Sequence, residues 1–347
     1  MPESTKPLLR TLAGEAVWPP PMWLMRQAGR YLPEYRAVRA GVKDFVALCT
    51  TPALAAEVTL QPIRRYGFDA AILFSDILIL PWALGHGLEF KEGEGPVLPR
   101  LCDAAGLAAL DPARVPEAVA PVMETVRRVR AGLADEGYGQ TALIGFAGAP
   151  FTVACYMVEG GGSRDFAATR AMAYADPRLF GGLMDTLTEA TIVYLSAQAE
   201  AGAEVLMLFD SWAGVLSPSL FRTHVIAPTA RVVAELKRRH PGIPVIGFPR
   251  LAGSMVGEYA ATGVNAIGMD TSMDLARAAA MLSDDVALQG NLDPMALVAG
   301  GDALFSETAP ILRVMKGRPF IFNLGHGIVP QTPPDHVAAL VERVRAA

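Results

Sequence analysis

Short apolar runs of strand length recur from one end of the chain to the other, and each gives way to polar residues or glycine before a helix-period stretch begins. They fall at 22–25, 70–74, 142–146, 204–209, 244–248, 266–269, 286–289 and 319–322. Runs that are apolar at nearly every position, not at alternate ones, belong to strands buried on both faces, as in a parallel sheet covered by helices. The intervening segments read as those helices. In 116–130, Val119, Val122, Met123, Val126 and Val129 share a face, and in 334–345 Val337, Leu340, Val341 and Val344 do the same. Eight alternations predict an α/β fold, a single (β/α)8 TIM-type barrel with residues 1–347 as one domain. An open doubly wound sheet is the alternative; the Gly-x-Gly-x-x-Gly turn that would favour it is absent after the first run. Residues 1–15 are expected to attach loosely, and the Gly- and Pro-rich stretch 85–100 reads as an insertion after the second strand, a hairpin or a lid.

Composition narrows the class further. With 52% hydrophobic and 19% charged residues the chain has ample core, and a net charge of -5 gives no basic field for nucleic acid. Three widely spaced cysteines, Cys49, Cys102 and Cys155, provide neither a disulfide framework nor a Cys-x-x-Cys motif, which fits a reducing compartment. The first ten residues lack a signal peptide's apolar core, and the longest apolar stretch, 70–84, is broken by Ser75-Asp76 and Pro81. A cytoplasmic protein without membrane contact is the expectation. The five histidines are scattered, with no His-Glu-x-x-His or His-x-Cys spacing, so no metal is expected.

In barrels of this kind chemistry sits at the carboxyl ends of the strands. The residues there are Arg26 and Arg30, Ser75-Asp76, the loop from Gly148 through Tyr156, Asp210-Ser211, Arg250, Asp270, Asn291 and Asp293, and Asn323 with His326. From Arg26 to Lys43 five cations face one acid, Glu34, in a chain that is net negative. Guanidinium forks grip carboxylates bidentately, so the cluster suits an anionic ligand; a solvated Arg-Glu network is the other reading.

The run Met25-Arg26-Gln27-Ala28-Gly29-Arg30-Tyr31-Leu32-Pro33-Glu34-Tyr35-Arg36 resembles the N-terminal signature of the uroporphyrinogen decarboxylases. The resemblance continues in order through Phe74-Ser75-Asp76-Ile77-Leu78, the stretch from Gly145 to Thr152 with Tyr156, Phe209-Asp210-Ser211, Gln289 to Pro294, and Asn323-Leu324-Gly325-His326-Gly327-Ile328. It implies removal of the four acetate carboxyls of uroporphyrinogen III to give coproporphyrinogen III in haem biosynthesis, without cofactor, by a homodimer. Carried over residue by residue, it places substrate contacts on Arg26, Gln27, Ala28, Gly29, Arg30, Arg39, Asp76, Tyr156, Ser211 and His326. Catalytic roles fall on Asp76, Arg26, Tyr156 and His326. Two positions depart from the pattern: Leu251 stands where glycine is expected, and Thr271 where a tryptophan often stands.

Decarboxylation of an acetate needs an electron sink. A pyrrole protonated at a ring α-carbon is such a sink, so the protein need supply only an acid, a counter-charge and grip. Asp76 would be the counter-charge, with helix capping as its bland alternative. The proton donor stays open among Arg26, Tyr156 and His326. Two other functions compete: the corrinoid methyltransferases of related barrel fold, whose His-x-Cys and later Cys ligands are missing here, and a catalytically silent binder of tetrapyrroles.

Overall fold

The computed structural model describes residues 5–91 and 95–347. Seven parallel strands, β1 (Ala70–Ile72), β4 (Ala142–Gly148), β5 (Val205–Asp210), β6 (Val245–Pro249), β7 (Ala266–Gly268), β8 (Ala287–Leu292) and β9 (Phe320–Leu324), form one curled sheet in chain order. The intervening β2 (Glu89–Lys91) and β3 (Gly95–Val97) pair antiparallel as a separate hairpin. Every residue of β4 is buried, as expected for a strand packed on both faces. Seven of the predicted strands are therefore present, with ends that differ by up to three residues.

The eighth is not a strand. Met22 makes a single parallel bridge to Phe322, with Phe322 N–H donating to Pro21 O at 2.9 Å and Trp23 N–H to Phe322 O at 3.3 Å. On the other side Asp69 N–H donates to Met22 O at 3.0 Å, so the segment touches both edges of the sheet and closes the ring. What prevents a ladder is the competition of side chains for its donors. Met22 N–H goes to Asp69 Oδ2, Leu24 N–H to Gln27 Oε1 and Met25 N–H to Asn323 Oδ1, at 2.8, 3.1 and 3.0 Å. Pro19, Pro20 and Pro21 just upstream have no N–H to contribute.

Helices wrap the sheet. Pro177–Ala201 begins on Asp176, which accepts from Leu179 N–H, and ends at Gly202 with φ 119°. In Pro334–Arg345 the predicted stripe Val337, Leu340, Val341 and Val344 is buried. Each such side chain contributes about 1.5–3 kcal/mol on burial. One contiguous apolar core runs from Leu8 to Val344.

Over Pro7–Leu12 the N-terminal segment is not loose: it is a helix that buries Leu8, Thr11 and Leu12. Lys6 anchors it through Thr141 O at 2.9 Å and Glu204 at 2.8 Å. Residues 1–4 lie outside the described part. The β2–β3 hairpin falls within 85–100, and residues 92–94 lie outside the described residues. It is fastened by a bridge from Val97 to Gly161 and by Leu98 N–H donating to Gly160 O at 3.0 Å, next to the helix that carries Tyr156.

Candidate active site

The segment that closes the ring delivers the first arginine. Arg26 has φ 60°, a left-handed conformation unusual for a side chain with a Cβ, and its stem crosses Gly327 so closely that any Cβ there would overlap it. Its guanidinium is exposed and has no protein acceptor among the described residues. The charge acts on Asp76, on Tyr156 and on His326, so one cation faces residues from three different strand ends. Arg30 is exposed as well. Arg39 spends one donor on Val42 O at 2.8 Å and keeps the rest of its fork.

Gln27 does not join them. Its side chain is buried, with Nε2 donating to Ala70 O at 3.0 Å and Oε1 accepting from Leu24 N–H. It pins the arginine loop to β1, so the Gln27 side chain is committed to the protein. Ala28 and Gly29 are half-buried beside it. Arg36 donates to Arg30 O and Tyr31 O at 2.9 and 3.1 Å, closing the same loop from outside.

Asp76 follows β1. Its Oδ1 accepts from Leu78 N–H at 2.8 Å, an Asx turn leading into the helix Ile79–Ala83, so capping takes one oxygen. The other oxygen has no protein donor among the described residues. Burial raises the carboxyl above its usual range, with the Leu78 N–H and then Arg26 opposing. Gly148 makes room for this turn, because a Cβ there would meet Ile77 Cβ at 2.9 Å and Ile77 O at 3.2 Å.

Tyr156 lies on the helix Pro150–Glu159, its ring edge-on to Phe166 and to Trp212 at 6.4 and 6.2 Å. Burial raises its phenol above the usual range; the Trp212 indole opposes this, Asp76 adds to it and Arg26 opposes. The phenol therefore keeps its proton. Ser211, just past β5, is half-buried with its hydroxyl uncommitted among the described residues.

His326 is set by its neighbours into one form. Gly327 N–H donates to Nδ1 at 2.7 Å, which requires an unprotonated Nδ1 and leaves the ring proton on Nε2. Burial, then Arg26 and Arg250, push the imidazole down to about 4, against a weaker pull from Asp270. Near neutral pH it is a hydrogen-bond donor and not a cationic acid.

Two further groups form a buried pair at the end of β5. Asp210, buried at the end of β5, accepts from Thr152 Oγ1 at 2.5 Å, and burial pushes its carboxyl up to about 7. Thr152 also accepts from Trp212 N–H at 3.1 Å, tying the β5 loop to the Tyr156 helix. The strand-end position of Asp210 was visible in the sequence; its pairing with Thr152, four residues before Tyr156 and so on the same helix face, was the signal to follow. The departures are local. Leu251 sits at φ 58°, which glycine would adopt freely, and its N–H donates to Asp270 Oδ2 at 2.5 Å. Asp270 Oδ1 takes Ser272 N–H and Oγ, and exposed Thr271 lies against Gly325. Among the described residues no three His, Cys, Asp or Glu side chains gather as metal ligands.

A parallel α/β barrel whose strand ends gather unpaired arginines, a half-buried carboxylate, an un-ionised phenol and a neutral imidazole defines an enzyme class that handles carboxylate-bearing substrates. The chain belongs to the uroporphyrinogen decarboxylase (URO-D) family, whose sequence profile matches residues 3–347. It is 64% identical over 342 residues to a uroporphyrinogen decarboxylase of Acidiphilium cryptum, covering 98% of this chain and 94% of that one. With the uroporphyrinogen decarboxylase of Gluconacetobacter diazotrophicus it shares 61% over 353 residues, 99% of each. Among solved structures a methyltransferase from Methanosarcina mazei superposes with a TM-score of 0.77 at 21% identity, covering 98% of this chain and 97% of that one, which shows a common fold.

Proposed function

We propose that this protein decarboxylates the four acetate side chains of uroporphyrinogen III to methyls, giving coproporphyrinogen III. The observation that carries this reading is the position of Arg26, within electrostatic reach of Asp76, Tyr156 and His326 at once. Arg26 and Arg30 hold side-chain carboxylates, and the free oxygen of Asp76 accepts pyrrole N–H groups. Protonation of a ring α-carbon creates a cation that Asp76 offsets. The bond from the acetate methylene to its carboxyl then breaks, carbon dioxide leaves, and the electron pair enters the ring. The methylene carbon takes up a proton and the ring α-carbon loses one, so each turn consumes one proton overall.

Tyr156 is assigned as the donor to the methylene carbon. A phenol is a stronger acid than a guanidinium, and the neutral imidazole of His326 holds its Nε2 proton more tightly than a phenol does. His326 instead donates from Nε2 to the substrate, and Ser211 adds a hydroxyl contact. The reaction runs without metal or organic cofactor, in the cytoplasm, in a homodimer. No helix among the described residues is long and apolar enough to cross a membrane.

The test is anaerobic incubation with uroporphyrinogen III, oxidation, and separation of the porphyrins by carboxylate number. Loss of four carboxyls per molecule is expected. Unchanged eight-carboxyl porphyrin in the bound fraction would make the protein a silent binder. Activity abolished by exhaustive chelation and restored by a metal would overturn the cofactor-free scheme, and a monomer in sedimentation would remove the dimer.

A further inference from the structure

Arg250 is anomalous among the buried cations. Four arginines among the described residues are half-buried: Arg39, Arg170, Arg250 and Arg318. Arg39 donates to Val42 O and Arg170 to Asp165 O. Arg318 is spent on Ala279 O, Leu282 O, Ser283 O and Asp284. The Arg250 side chain has no acceptor at all among the described residues. A partly desolvated guanidinium without a counter-ion is costly unless a ligand supplies one.

Its surroundings hold it in place. Arg250 N–H donates to Asp210 O at 3.1 Å, and its own carbonyl accepts from Gly214 N–H at 3.1 Å, so its backbone is clamped between β5 and the following loop. The guanidinium lies over the Trp212 ring, 5.9 Å from the centroid, and Trp212 N–H is fixed by Thr152. The nearby acid is already committed, since both oxygens of Asp270 accept from Leu251 and Ser272. Arg250 and Arg26 act on the same imidazole, His326, from the ends of different strands.

We propose that Arg250 is a second carboxylate-binding point of the pocket, which takes a side-chain carboxylate of a polycarboxylate ligand while Arg26 holds another. The inference rests on the tetrapyrrole reading of the site. It adds that the ligand is gripped from two sides of His326, with the Trp212 face as the platform that aims the second fork.

The experiment is a fluorescence titration of the full-length protein with coproporphyrin III, a non-reacting tetracarboxylate, beside uroporphyrinogen kinetics. Arg250→Met keeps the stem on Trp212 and deletes the fork. It is expected to weaken coproporphyrin binding about ten-fold or more, to raise KM in step and to leave kcat within about three-fold. Arg250→Lys should recover part of the loss. Should the methionine variant unfold, Arg250→Gln carries the same expectation. Binding by the folded Met or Gln variant within about two-fold of the parent overturns the subsite. So does a fall in kcat at unchanged KM. A parent that binds coproporphyrin through Arg250 but does not decarboxylate uroporphyrinogen sinks the functional reading and leaves the subsite standing; a parent that does neither removes both.

Discussion

The Gly327 amide points its proton at Nδ1 of His326 across 2.7 Å, and this one bond decides what the histidine can do. A ring that accepts at Nδ1 has its proton at Nε2, and protonating it would set two donors against each other. Folding therefore selects the neutral ring.

A pH consequence follows with a definite sign. The folded imidazole titrates near 4, below its ordinary 6.5, so between those values the unfolded chain binds more protons than the native one. The contribution of His326 to stability is complete above 6.5 and is lost as pH falls towards 4. Thermal melts across that window should show the parent losing stability more steeply than His326→Gln, and kcat/KM should show no inflection from this residue above about pH 6. A His326 resonance that titrates near 6.5 by NMR contradicts the assignment.

Asp76→Asn should separate the two uses of that side chain. The amide oxygen can still accept from Leu78 N–H, so the turn and the fold survive. What is lost is the full negative charge opposite the ring cation. Turnover is expected to fall at least about 100-fold while coproporphyrin still binds and the melting temperature barely moves. Activity within a few-fold of the parent would make Asp76 a turn residue only.

Arg26→Lys and Arg30→Lys keep charge but lose the planar fork. Both are expected to raise KM by about ten-fold with a smaller effect on kcat, measured by steady-state kinetics. Gly327→Ala tests the same arginine from beneath. A methyl group there occupies the path of the Arg26 stem, so the guanidinium must move, and KM should rise although no charged residue has changed. Unaltered kinetics in Gly327→Ala would show that Arg26 does not need this path.

Asp210 gives the opposite sign from His326. Its carboxyl titrates near 7 when folded and near 3.8 when exposed, so the native state binds the extra proton between those values and stability declines as pH rises through them. Asp210→Asn removes the titration and keeps an oxygen for Thr152. The variant should melt higher than the parent at pH 8, with the advantage vanishing near pH 4. A constant difference across that range would show that the carboxyl is not held protonated.

The barrel was legible because apolar runs such as 142–146 and 204–209 report burial on both faces without reference to any partner. The strand at 22–25 was misjudged for a physical reason. Its residues are as buried as the others, but its amides are claimed by Asp69, Gln27 and Asn323, and hydropathy does not register acceptors 47 and 298 residues away. The site was legible as a set of strand-end residues. The state of each was not: the tautomer of His326 depends on a neighbour's amide, and the commitment of the Gln27 side chain depends on Ala70 O, 43 residues away. Arg250 stood in the strand-end list, yet its lack of an acceptor is a fact about space.

The closing segment also ties the first part of the chain to the last. Met25 N–H bonds Asn323, Met25 O receives Ile328 N–H at 2.8 Å, and Trp23 Nε1 donates to Gln289 at 2.9 Å, so the loop that presents Arg26 is moored to the last strands of the chain. A ribosome that has released the first 280 residues has already made Arg26, Asp76, Tyr156 and Arg250, but has not yet made the moorings. A nascent chain cut short before β9 holds most of the site's chemistry, but its Arg26 loop is moored only to Asp69, Ala70 and Gln289 and lacks the two clasps that Asn323 and Ile328 place on Met25.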